Sequence, residues 1–235
     1  MSIYPFRKFK NNPKHKWRDL ILEEMEERLK FLHTDYVDLF NIHLSEDNYS
    51  QEFLCYMIDL LKELKSQEKI RSIGASSHDP CFLGEIMRNY DCFDSVMVRY
   101  NYYLKDAKNE LFPLCKKLNV GVIVMKPISW PYYGIPFTYF CKEKYFAGAY
   151  TPVQTALKWI LSSPEVSCVA PSVNSIDELE ENIQAFERED PINEETLQKC
   201  LQCALSSDGK EILHKLVFHP YKDISAYAKR ALEGF

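Results

Sequence analysis

The sequence predicts an α/β protein, an incomplete TIM-type (β/α) barrel of about five or six parallel strands followed by extra C-terminal helices. Three observations carry that expectation. Short β-rich apolar runs alternate with amphipathic helical runs up to Phe186, the pattern of parallel strands joined by right-handed crossovers. The run Thr34–His43 is nearly continuous in apolar residues (Tyr36, Val37, Leu39, Phe40, Ile42), as a strand buried on both faces reads, and it ends in a histidine. Five strands are clear and residues 2–9 offer a sixth, whereas a closed barrel of this type has about eight. The deficit falls on the N-terminal side.

Taken in order, Asn11-Asn12-Pro13 is a helix-start signal, and Trp17, Leu20, Ile21, Met25, Leu29 and Leu32 recur at helical spacing through Lys16–Leu32. The strand ending at His43 follows, then a polar loop to Ser50 and a helix over Gln51–Lys65. Ile70–Ala75 is a strand and Ser76-Ser77-His78-Asp79-Pro80 a turn, leading into a short helix to Asn89. Ser95–Tyr100 is a strand, Ala107–Leu118 a helix, and Val120–Val124 a strand running into Met125-Lys126-Pro127. Residues 129–150 break the pattern and are crowded with aromatics, and a loop of this length in a compact domain serves function or an interface. The helix Pro152–Leu161, the strand Val166–Ala170 and the helix Ser175–Phe186 complete the alternation. Residues 1–192 read as one partial barrel and 193–235 as a helical extension packed on the same domain.

Composition excludes several classes of function. A net charge of -5 with both signs interspersed predicts no nucleic-acid or membrane-surface partner. No apolar run approaches the roughly 20 residues that span a bilayer, and MSIYPFRKFK lacks the apolar core of a secretion signal, so a cytoplasmic location is expected. The eight cysteines are scattered, and the pair Cys200-x-x-Cys203 sits in a helical pattern with no second pair to complete a zinc or iron–sulfur set. No metal site is expected.

Five blocks carry a resemblance: MEERLKFLHTDYVDLFNIH (25–43), KIRSIGASSHD (69–79), VMVRYN (96–101), VGVIVMKPI (120–128) and APSVNSIDELEENIQAF (170–186). In this order and spacing the chain resembles the aldo-keto reductases, specifically the C-terminal three quarters of their barrel. The resemblance implies hydride transfer between a nicotinamide cofactor and an aldehyde or ketone, with a tyrosine as general acid and Lys, Asp and His around it. His43 matches the family's histidine, which points at the substrate oxygen. Lys10 lies at about the separation of the family's lysine. No tyrosine precedes it at the family's distance, and the region that supplies the family's Asp and Tyr has little counterpart here.

On the cofactor side, the resemblance places Ser76 and Ser77 where a Ser-Asn pair holds the nicotinamide carboxamide, Met97 at a usual Gln, and Met125 where a Tyr often stacks on the ring. Glu181 and Asn182 match the pair that reads the adenine. Ser172 and Glu178 stand where NADP-dependent members carry Lys and Arg for the 2′-phosphate. A carboxylate repels that phosphate, so NAD is favoured over NADP if a dinucleotide binds. Two readings follow: an oxidoreductase acting on a small carbonyl compound, or a non-catalytic family member that binds no cofactor and uses the barrel, and the aromatics of 129–150, as a scaffold for binding or regulation. An incomplete barrel exposes strand edges, so self-association as a dimer, the N-terminal dozen residues, or a partner completing the barrel is expected to cover them.

Overall fold

The computed structural model describes residues 2–3, 12–45, 50–141, 150–187 and 192–234, and Lys10 lies outside them. The chain divides into two compact units, residues 1–98 with 110–122, and 99–109 with 123–235.

In the first unit the strands β1 (Ser2–Ile3), β2 (Val37–His43), β3 (Ile70–Ser77) and β4 (Ser95–Arg99) lie side by side in chain order. The pairs β1–β2, β2–β3 and β3–β4 are all parallel. Between them run α1 (Trp17–Leu32), α2 (Gln51–Ser66), α3 (Pro80–Asn89) and, before β5 (Gly121–Met125), α4 (Leu111–Leu118). The sequence provides α2 and α3 with acceptors for their unpaired first amides. Ser50 Oγ accepts from Phe53 N at 3.4 Å for α2, and Asp79 Oδ1 accepts from Cys81 N and Phe82 N at 2.8 and 3.1 Å for α3. One face of α2 is buried along its length through Phe53, Leu54, Met57, Leu60, Leu61 and Leu64. On one face of the sheet Phe40 pairs with Ile73, and Ile42 with Ala75, all of them buried.

Two boundaries differ from the sequence expectation. Ser76 and Ser77, expected as a turn, continue β3, because pairing to β2 and β4 on both sides holds the ladder to the end of the strand. The helix expected over Ala107–Leu118 is a 3-10 turn, Asp106–Lys108, followed by α4.

The second unit holds the last part of β5 beside β6 (Val166–Ala170), with α5 (Pro152–Leu161), α6 (Ile176–Glu187), α7 (Glu194–Ala204), α8 (Ser207–Leu216) and α9 (Lys222–Glu233). Thr151 and Gln154 form a reciprocal capping box at the start of α5. The described part of the aromatic segment, expected to serve function or an interface, is largely core. Trp130, Ile135, Phe137 and Phe140 are buried, and Trp130 stacks on Phe137 with ring centroids 4.3 Å apart. Ile135 and Phe140 join Ala204, Leu213, Leu216 and Ala228 of the three C-terminal helices in one hydrophobic cluster. The reason is composition: these rings supply apolar area that the polar outer faces of α7–α9 lack. Tyr133 and Tyr139 of the same segment remain exposed. Among the described residues no helix is long and apolar enough to cross a membrane.

Candidate active site

The site starts from strand alternation. Side chains two apart along a strand share a face, so β2 turns Asn41 and His43 to the face opposite Phe40 and Ile42. Parallel register then sets rows across three strands: His43 pairs with Ser76 and Ser76 with Met97, while Asn41 pairs with Gly74 and Gly74 with Ser95. The upper row lies at the C-terminal ends of the strands, the end at which barrel enzymes place their chemistry.

In that row His43 Nδ1 and Ser76 Oγ are 3.1 Å apart, and Ser76 is buried. His78, just past β3, stands edge-on to His43 with ring centroids 5.9 Å apart. Burial lowers the His43 pKa below the ordinary 6.5, so the imidazole is neutral at pH 7. Either the serine hydroxyl donates to Nδ1 of one tautomer or Nδ1–H of the other donates to the serine oxygen.

The lower row is a tight polar floor. A Cβ on Gly74 would lie 2.0 Å from Asn41 Oδ1 and 2.7 Å from Ser95 Oγ, so only glycine lets these two groups converge. Both side chains are buried, and Asn41 Oδ1 and Ser95 Oγ have no hydrogen-bond partner among the described residues. Ser77 is not brought to His43. It alternates to the opposite face, in register with Val98, and its Oγ accepts from Asp79 N at 3.2 Å, shaping the entry to α3.

The second unit carries the remaining sequence candidates. Met125 ends β5, and the next residue, Lys126, turns the chain with a left-handed φ of 58°. Asn101, which sequence reasoning left without a role, fixes that corner. It is fully buried, its Nδ2 donates to Lys126 O at 3.0 Å, and its Oδ1 accepts from Tyr103 N and Leu104 N at 3.1 and 2.8 Å. Its place directly after a strand in VMVRYN was the available signal.

Beyond β6, Ser172 is exposed at the approach to α6. Glu178 acts locally, because its Oε2 accepts from Asn174 N at 2.7 Å and its own N–H donates to Ser175 Oγ at 3.2 Å, a capping arrangement at the start of α6. The Glu181 carbonyl accepts from Gln154 Nε2 at 3.0 Å, and Asn182 is buried on the same side as Ala185.

A cleft of about 690 Å³ lined by Met25, Leu29, His33, Asp35 and Lys69 sits where β2 and β3 begin, the opposite end from His43. Barrel enzymes place their chemistry at the C-terminal strand ends, so the His43 row is the better candidate. Among the described residues no group of three His, Cys, Asp or Glu side chains could hold a metal ion.

Parallel strands in chain order with helices between them, and a histidine at a strand's C-terminal end, are the arrangement of part of a (β/α) barrel. The sequence model of the aldo/keto reductase family matches residues 7–131 and 144–204, and the chain belongs to that family. It is 32% identical over 109 residues to the NADH-specific methylglyoxal reductase of Escherichia coli, covering 46% of this chain and 33% of that protein. It is 24% identical over 219 residues to the uncharacterized oxidoreductase YqkF of Bacillus subtilis, covering 83% and 67%. Against the probable aldo-keto reductase 1 of Glycine max the coverage of that protein is 54%, so the chain spans between a third and two thirds of these relatives' length. Among solved structures it is similar to the holo form of aldo-keto reductase AKR11C1 from Bacillus halodurans, with a TM-score of 0.59, 26% identity, and 81% of this chain and 69% of that one covered.

Proposed function

We propose that this chain is a nicotinamide-linked oxidoreductase that reduces a small aldehyde or ketone, with His43 as the group on the carbonyl oxygen. The His43–Ser76 pair at the strand ends carries this reading: a buried hydroxyl pairs with Nδ1 and so orients the ring. The residues fit the cofactor at both of its ends, taken separately. Ser76 and the unpartnered polar floor beneath it suit a nicotinamide carboxamide and the reacting carbonyl. At α6, Ser172 is exposed, and by the resemblance Glu178 stands where NADP-dependent members carry the arginine for a 2′-phosphate. The bound nicotinamide supplies the hydride. The chain's own groups orient the carbonyl, and the protonated form of His43 is able to deliver the proton that neutralises the alkoxide.

NADH is the preferred cofactor. The E. coli relative is named as NADH-specific, and Glu178 supports the same preference in this chain. Calorimetric titration is expected to show NADH binding more tightly than NADPH, with Glu178→Arg moving the ratio toward NADPH by on the order of tenfold. Equal affinities, or NADPH preferred by the unaltered chain, would overturn the assignment of Glu178. No heat with either cofactor would overturn the oxidoreductase reading. Methylglyoxal, the substrate named for that relative, is the first carbonyl to try.

A specific observation favours a binding role as the second reading. On α6 the residues Ile176, Leu179, Ile183 and Phe186 form one exposed stripe, with the exposed acids Asp177, Glu180 and Glu187 along its flank. Charge complementarity points to a polypeptide with an apolar face and a Lys/Arg rim; a second copy would bring two acidic flanks together. Light scattering on the purified chain is then expected to show a monomer. A dimer broken by Ile176→Glu would assign the stripe to a second copy instead.

A further inference from the structure

Three features outside the His43 row stand out: the cleft at the start of β2, the floor around Gly74, and a thiol cluster in the second unit. The thiols reach furthest. Cys141 directly follows the 3-10 turn Phe137–Phe140, and Cys200 lies on the buried face of α7 with Leu197 and Ala204. Their Sγ atoms are 2.8 Å apart, within about 1 Å of the roughly 2.05 Å of a disulfide bond. Core packing sets this approach. Phe137 and Phe140 are buried on one side, and Cys200 is only 4% exposed on the other. Cys203, one turn further along α7, is half-buried, and its sulfur lies close enough to act on Cys141 through charge.

We propose that Cys141 and Cys200 are a redox-modification site, forming a reversible internal disulfide when the protein meets a low-molecular-weight disulfide such as oxidised glutathione. The CxxC spacing of Cys200 and Cys203 suggested packing, and the structure gives Cys200 a different sulfur to face, contributed from 59 residues earlier in the chain. The Cys200 thiol and burial both push the Cys141 thiol well above its ordinary pKa, so the thiolate that begins exchange is scarce.

Exchange proceeds in two steps. The Cys141 thiolate attacks one sulfur of the oxidant, the oxidant's S–S bond breaks, and one small thiol leaves with a proton from solvent. The Cys200 thiolate then attacks the mixed disulfide at the Cys141 sulfur and expels the second small thiol. The protein loses two electrons and two protons, and one oxidant molecule becomes two thiols. The product ties the aromatic segment covalently to α7, the first of the three C-terminal helices, and closes a long loop in the unfolded chain.

The test is peptide mapping of the full chain after oxidised glutathione and, separately, after dithiothreitol, with the remaining thiols alkylated. A Cys141–Cys200 cross-linked peptide is expected under oxidation only, together with a rise in melting temperature of roughly 5–15 °C that dithiothreitol reverses. Cys141→Ser should abolish both, and Cys203→Ser should retain both. A Cys200–Cys203 or Cys141–Cys203 link, a persistent mixed disulfide at Cys141, or an unchanged map would overturn the proposal. Mapping of the unaltered chain decides the matter even if a variant fails to fold.

Discussion

Replacing His43 by alanine is expected to slow NADH-dependent carbonyl reduction about 10²–10⁴-fold while leaving NADH affinity within about twofold. The size follows from the proposed role: a ring that meets the oxygen on which negative charge develops is missed in the transition state more than in the bound cofactor. In the cation both ring nitrogens carry a proton: the one on Nδ1 is donated to Ser76 Oγ, and the one on Nε2 is the proton transferred. Burial holds the His43 pKa below 6.5, which makes its cation a stronger acid than an ordinary imidazolium but a rare one at pH 7. The rate should therefore rise as pH falls toward the folded-state pKa and level off below it. Linkage gives the accompanying stability change its sign. The unfolded chain takes up the proton at about pH 6.5 and the folded chain only at lower pH, so stability declines as pH falls between those two values. His43→Gln should flatten that decline. A rate profile that is flat from pH 8 to pH 5, or an alanine variant with unchanged turnover, would remove His43 from the mechanism.

The parallel β/α order was legible because each strand is a short apolar run bounded by helical signals, and His43 was legible because a polar residue closes such a run. The face each residue occupies was harder to read. Ser76 and Ser77 are adjacent hydroxyls in the sequence, yet alternation sends one to His43 and the other to the start of α3. The same holds for Glu178. By resemblance it marks a lost arginine, whereas locally it is a helix cap, and the capping pattern S-x-x-E of Ser175 and Glu178 was present in the sequence throughout. Gly74 read only as an interruption of a strand, because the convergence of Asn41 and Ser95 above it depends on register between three strands. The aromatic segment misled for a different reason. Irregular backbone rich in Trp, Tyr and Phe suits an exposed grip and a buried core equally well, and only the C-terminal helices, distant in sequence, decide between them.

That decision makes Trp130 the position where a single truncation should cost the fold most. Its ring is fully buried and stacked on Phe137 at an interplanar angle of 7°, and its Nε1 donates to Pro127 O at 3.1 Å. Trp130→Ala removes the ring, the stack and a hydrogen bond inside a close-packed region, and truncations of this kind cost about 3–5 kcal/mol. For a chain of this size the loss corresponds to a drop in melting temperature of roughly 6–20 °C. Trp130→Phe keeps most of the stack and leaves Pro127 O to find water, so its cost should be less than half as great. Thermal unfolding of the two variants beside the unaltered chain measures the difference. If Trp130→Ala unfolds within about 2 °C of the unaltered chain, the aromatic segment is not the core of the second unit, and the exposed role expected for it from the sequence returns.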